Sequence, residues 1–206
     1  MKKILLLTLF FIIFYSMNNN TMAQEQSNIE IAKNTALIII DIQNFYFPGG
    51  TLPLTNPEEA AKNAQKILLR FREKGNLVIH VKHNTNVGSE INEFVAPVES
   101  EKIISKDKAN SFVGTDLLEY LKNNKIENLV LCGMQTHMCL EAATRAASDY
   151  GFKCTVIEDA CATRDLSFGD ITVSAKDVHY STLSTLKGTY AKIESTDDFL
   201  KANDNK

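Results

Sequence analysis

Short apolar runs rich in β-branched residues alternate along this chain with amphipathic helical segments. That alternation predicts an α/β domain, a mainly parallel sheet with helices on both faces. Residues 36–40, Ala-Leu-Ile-Ile-Ile, contain no polar position, which marks a strand covered from both sides. Composition agrees: of 206 residues 44% are hydrophobic and 23% charged, with 9 Gly and 4 Pro. This is enough apolar material for one packed core, and it excludes a disordered or collagenous chain.

The elements follow in order. Lys2 and Lys3 precede an apolar run over residues 4–15, broken only by Thr8; a polar stretch and Met22-Ala23-Gln24 come next. A basic start, a short apolar run and a small residue at the end read as a secretory signal peptide, 1–23, with 24–206 as the exported domain. The alternative is an uncleaved anchor, for which the run is short. No cysteine lies near the cleavage position, so a lipid anchor is not indicated. Cleavage after Ala23 would leave 183 residues and, with two lysines gone, move the net charge from −3 to −5. Such a balance argues against nucleic-acid binding through bulk positive charge.

After the strand at 36–40, Asn56, Pro57, Glu58 and Glu59 open a helix with a cap residue, a first-turn proline and acids at the positive end of the dipole. Ala60, Ala64, Ile67, Leu68 and Phe71 keep helical spacing, and Gly75 ends it. Residues 77–83 read as a second strand and 102–105 as a third. Thr115 caps a helix carrying Leu117, Leu118 and Leu121, and 128–132 form a fourth strand. A helix over 138–150, a strand over 154–157, a helix over 173–186 and a short strand over 190–193 complete the domain.

In parallel sheets the functional groups gather at the carboxyl ends of the strands. Those ends carry Asp41 with Gln43, then His83, Lys106, residues 133–139 and Asp159. Cys139 falls just inside the predicted helix over 138–150, where the dipole would lower a thiol pKa and free first-turn N–H groups could hold an oxyanion. Alone, such a cysteine reads equally as a buried core thiol. An acid and a lysine on the same edge turn the reading toward a nucleophile, with Asp41 taking the thiol proton and Lys106 balancing the charge.

Three separated motifs carry a family resemblance. They are Ile40-Asp41-Ile42-Gln43-Asn44 with Phe47-Pro48-Gly49-Gly50; Lys106 in Lys-Asp-Lys-Ala-Asn-Ser-Phe112; and Gly133-Met-Gln-Thr-His-Met-Cys139. Together with residues 158–165 and His179 they resemble the isochorismatase-like cysteine hydrolases, among them nicotinamidases, N-carbamoylsarcosine amidases and streptothricin hydrolases. The resemblance spans residues 34–193. It implies a three-layer α/β/α, Rossmann-like fold on a six-stranded sheet, and an Asp41–Lys106–Cys139 triad. It also implies a cis peptide between Met134 and Gln135, with the N–H groups of Gln135 and Cys139 as the oxyanion hole. The implied reaction is hydrolysis of a small molecule through a thioester, without a cofactor, in a homodimer or homotetramer.

Departures from the family pattern bear on substrate. The aromatic after Asp-x-Gln is Tyr46, flanked by Phe45 and Phe47. Metal-binding nicotinamidases carry an acid and further histidines around the residue matching His83; this chain has neither, so no metal is expected. A placed thiol favours C–N cleavage of an amide, ureido or carbamoyl group over the vinyl-ether hydrolysis of a true isochorismatase, the alternative activity. A non-catalytic or redox-sensing protein on the same fold is the other alternative.

Gln43, Tyr46, His83, Phe112 and His137 are the expected substrate contacts. Gln43 reads as orienting the triad or as satisfying a loop carbonyl; His80 reads as structural, and His179 as structural or at a subunit contact. Arg164 reads as a carboxylate grip or as the partner of Asp165 or Glu158. With Cys139 free, at most one disulfide can form among Cys132, Cys154 and Cys161, and the absence of Cys-x-x-Cys removes a thioredoxin-type role.

Overall fold

The computed structural model describes residues 31–204, so the expected signal peptide lies outside the described residues. Residues 31–200 form one compact unit. Six strands make an all-parallel sheet: β1 (Thr35–Ile40), β2 (Leu77–His83), β3 (Lys102–Lys106), β4 (Asn128–Met134), β5 (Lys153–Ala162) and, after a hairpin, β8 (Lys192–Glu194). Their spatial order is β3-β2-β1-β4-β5-β8. The chain winds outward from β1 to β3, returns to β4 beside β1, and winds outward the other way. The crevice between the carboxyl ends of β1 and β4 is therefore the topological switch point, where such sheets bind ligands.

Helix α1 (Pro57–Lys74) buries Ala60, Ala61, Ala64, Ile67, Leu68 and Phe71 and lies across β5, β4 and β1. Its amphipathic spacing explains the face chosen. Gly75 ends it at φ 67°, leaving Asn76 N–H to donate to Phe71 O at 3.0 Å. Asn56 does not cap through its side chain: it sits at φ 50°, ψ 43° and only its carbonyl receives a helical N–H. Helices α2 (Leu117–Asn123), α3 (Glu141–Asp149), α4 (Ala175–Leu186) and α5 (Thr196–Asp204) follow.

Several boundaries differ from the sequence expectations. β5 runs to Ala162, five residues beyond the apolar run, because β4 and β5 pair again past a register shift between Leu131 and Gly133. Leu166–Phe168 (β6) and Ile171–Val173 (β7) form an antiparallel hairpin, so the helix expected from 173 begins at Ala175, capped by Ser174. Alternating short runs around Asp170 carried too little periodicity to show this. α5 was not anticipated; Asp159 Oδ1 accepts the Thr196 N–H at 2.8 Å and its hydroxyl at 2.7 Å, so that acid holds the start of α5. Cys132, Cys139, Cys154 and Cys161 are all free and buried.

Candidate active site

Asp41 leaves β1 in the left-handed region, φ 50°, a conformation that costs a non-glycine residue energy and concentrates at functional positions. Its N–H donates to Val81 O at 2.9 Å, and its carbonyl accepts the Gln43 N–H at 2.9 Å. Lys106, the last residue of β3, reaches across β2: its Nζ donates to Asp41 Oδ2 at 2.7 Å, and both side chains are fully buried. The same Nζ lies 3.3 Å from His83 Nδ1.

Cys139 enters from the other side of the switch point. The Met134–Gln135 peptide is cis, and Thr136–Leu140 make a π-type turn before α3. Gln135 O accepts the N–H of Met138 at 3.0 Å and of Leu140 at 3.3 Å. A carboxylate oxygen of Asp41, a ring nitrogen of His83 and Cys139 Sγ all lie within 4.8 Å of one another. Asp41 Oδ1 is buried and has no hydrogen-bond partner among the described residues. The Lys106 ammonium lies against two of these three residues, at Asp41 Oδ2 and His83 Nδ1, and so already places a positive charge in the cluster.

Burial dominates the electrostatics. It pushes the Cys139 thiol up to about 12, with the Asp41 charge adding to the effect and Lys106 opposing it. Burial also raises the Asp41 carboxyl, against the pull of Lys106. The dipole-lowered thiolate expected from the sequence is therefore not the resting state. Cys139 sits in a π-type turn ahead of α3 and is only 5% exposed.

The structure distributes the expected substrate contacts unevenly. Tyr46, 5% exposed, has its hydroxyl 3.3 Å from Gln135 Nε2, beside the turn that carries Cys139. His83 borders the Asp41–Lys106 pair. His137 Nδ1 shares a 2.6 Å hydrogen bond with Thr163 Oγ1. Gln43 is consumed elsewhere: Nε2 donates to His83 O and Ser89 O, and Oε1 accepts the His83 N–H. Fully buried, it satisfies loop carbonyls and ties the 84–92 segment to β1 rather than presenting a group to substrate. Phe112 is corrected more sharply. Its ring packs on Tyr150 (centroids 5.3 Å) and Phe152 (6.5 Å), between the end of α3 and the start of β5. That is the amino edge of the sheet, opposite Cys139.

Two contacts escaped sequence reasoning. Thr136 Oγ1 lies 2.9 Å from His179 Nδ1, joining the Cys139 turn to α4. Arg164 follows β5 two positions past Ala162, which pairs with Met134 at the start of that turn. The residues were visible in the sequence, but the length of β5 that places them was not. A cavity of about 360 Å³ opens beside this edge, lined by Thr55, Glu59, Glu158, Cys161, Thr163 and His179.

An acid, a lysine and a cysteine thus converge at the switch point of a doubly wound sheet. The isochorismatase domain family matches residues 35–194, and the chain belongs to that family. It is 47% identical to the uncharacterized isochorismatase family protein YddQ of Bacillus subtilis, over 81% of this chain and 99% of that one. It is 30% identical to the secreted isochorismatase effector Isc1 of Verticillium dahliae, over 65% and 75%. The crystal structure of an isochorismatase from Pseudomonas putida superposes with TM-score 0.77 at 32% identity, covering 83% of this chain and 93% of that one. Relatives with named activities include a streptothricin hydrolase of Streptomyces noursei (26%, over 64% of this chain and 55% of that one) and a maleamate amidohydrolase of Pseudomonas putida (24%, over 84% and 88%). Among the described residues no helix is long and apolar enough to cross a membrane.

Proposed function

We propose that this protein hydrolyses a C–N bond of a small amide, carbamoyl or ureido compound, with Cys139 as nucleophile, Asp41 as proton acceptor and Lys106 as the charge that holds Asp41. The carrying observation is the fully buried Lys106–Asp41 pair, 2.7 Å long, with Asp41 beside Cys139. A thiol pushed to about 12 does not ionise to solvent, because a lone thiolate in a dry site is costly. Transfer of its proton to Asp41 leaves the summed charge of the three groups at zero, so burial does not oppose it in the same way.

In the first half-reaction Sγ attacks the carbonyl carbon as its proton passes to Asp41. The N–H groups of Gln135 and Cys139 receive the oxyanion. Collapse breaks the C–N bond, and Asp41 returns the proton to the departing nitrogen. Water then loses a proton to Asp41, attacks the thioester, and yields the acid and the free thiol. The named activities of the streptothricin hydrolase and maleamate amidohydrolase relatives support this reaction class. We further propose export after cleavage at Ala23 and assembly into a homo-oligomer.

Ammonia release from a panel of amides, carbamoyl and ureido compounds tests the reading. Release from at least one class is expected; no release from any, with the protein folded, contradicts it.

A further inference from the structure

A side-chain pair bridges the crevice between the carboxyl ends of β1 and β4. Gln135 Nε2 donates to the Tyr46 hydroxyl at 3.3 Å, joining the segment that follows β1 to the segment that follows β4. Both backbones are held. The Tyr46 N–H donates to Gln43 O at 3.0 Å, and the Tyr46 carbonyl accepts the Leu54 N–H at 2.9 Å. Gln135 follows the cis peptide, and its carbonyl accepts the N–H groups of Met138 and Leu140, on either side of Cys139. Its side chain is buried, the residue being 2% exposed. The same Nε2 reaches Met138 Sδ at 3.7 Å, so both amide protons have acceptors. Oε1 is then left buried with no hydrogen-bond partner among the described residues. The Tyr46 hydroxyl accepts from Gln135 and keeps its own proton, since burial holds the phenol above its ordinary value.

The pair therefore offers one acceptor and one donor in the crevice that holds Asp41 and Cys139. Turning the Gln135 amide over exchanges the two roles and still leaves one of each. A buried acceptor left open is costly unless a partner arrives. An alkyl group would leave both unmet, and a carboxylate, which only accepts, would set an oxygen against the pair's own acceptor. A neutral carboxamide, with an N–H and a C=O, answers both.

We infer that the Gln135 carboxamide and the Tyr46 hydroxyl together select a second, neutral amide on the substrate, beside the bond that is cleaved. The inference deepens the C–N hydrolase reading and rests on it for the reaction, while recognition of the second amide stands apart from it. Gln135 then serves twice, its backbone N–H at the oxyanion and its side chain at the second amide.

Calorimetric binding to full-length Cys139→Ala separates the two. Malonamide and succinamide are compared with isovaleramide and 4-methylpentanamide, in which methyl groups replace the oxygen and nitrogen of the second amide. At least one diamide should bind about tenfold or more tightly than its alkyl counterpart, the worth of two buried neutral hydrogen bonds. Adding Gln135→Met, which keeps the backbone N–H, should bring that ratio to about one and leave the alkyl amide's affinity unchanged. Adding Tyr46→Phe instead should lower the ratio at least about threefold, the worth of one such bond, and carries the test alone if Gln135→Met does not fold. Absence of binding by both diamides, equal binding within each pair, or a ratio that survives either substitution overturns the inference. A loss shared equally by the alkyl amides makes Gln135 a packing residue and overturns it too. Ammonia release by the native protein is scored in parallel on the amide, carbamoyl and ureido panel. A diamide preference with no release from any compound leaves the second-amide site standing and contradicts the C–N reading; release with no diamide preference does the reverse.

Discussion

Cys139 and Asp41 both resist carrying charge, and the account depends on how the two resistances combine. Helix-terminus effects on a charge are worth about 0.3–1 kcal/mol. The rise of the thiol from 9.0 to about 12 corresponds to about 4 kcal/mol, so burial wins. This is why the place of Cys139 past a strand end was legible in the sequence but its thiol pKa was not: spacing reveals position, whereas desolvation depends on everything packed above it. The pH dependence follows. Asp41 must be ionised to accept the proton, so activity is present above its pKa and lost as pH falls through it. Because burial raises that pKa, the acid limb of kcat/KM should lie above 3.8, the carboxyl's ordinary value. A limb at or below that value would contradict the assignment. Lys106→Met leaves proton transfer without a balancing charge; kcat/KM should fall at least about 100-fold, a loss typical of disabling general base catalysis. A variant retaining native kcat/KM would remove Lys106 from the mechanism.

The nucleophile turn is the decisive element, and it is held from outside itself. Gly133 lies at φ 130°, and a Cβ built there collides with the Ile40 carbonyl on β1. Gly133→Ala must therefore push β4 from β1 at the point where Ile40, the residue before Asp41, faces Gly133. Loss of activity with a lowered Tm is expected; a native Tm and native kcat would contradict the close approach. From the other side, burial disfavours the charged His179 ring, whose Nδ1 shares a 2.9 Å hydrogen bond with the Thr136 hydroxyl. His179→Ala should lower kcat more than it alters KM, and His179→Asn, which keeps an acceptor, should restore part of the loss. Steady-state kinetics of the two variants decide this: equal loss in both would leave His179 a packing residue. Neither tie follows from helical or strand periodicity, because they join segments 43 and 93 positions apart. The packing of Phe112 on Tyr150 and Phe152 was not legible for the same reason, because motif membership says nothing of which edge a side chain packs against, while Gln43 takes the loop-carbonyl alternative of its two readings.

At the scale of the whole molecule, strand–helix alternation made the α/β class legible, and apolar runs identified the strands. The order β3-β2-β1-β4-β5-β8 was not readable, since periodicity records burial and not neighbours. Nor were the short hairpin and α5. The pH dependence of stability has a second origin away from the site. Burial alone would raise Glu101, but the bidentate Arg72 (2.7 and 2.8 Å), the Val98 N–H and His80 hold it down to about 2. A depressed carboxyl contributes stability above its unfolded value, 4.5, and loses it as pH falls toward 2, here roughly 3 kcal/mol. His80, kept neutral by burial, acts in the same direction from a higher pH. The urea midpoint should therefore fall steeply below pH 4.5, and Glu101→Gln should flatten that fall; an unchanged slope would contradict it.

The central claim is that Cys139 carries the acyl group. Acid-quenched turnover of a substrate drawn from the amide, carbamoyl and ureido panel, followed by peptide mass analysis, tests it most directly. The account predicts an acyl adduct on the Cys139 peptide of the native protein, and neither adduct nor ammonia from Cys139→Ala. Continued ammonia release by Cys139→Ala would contradict it.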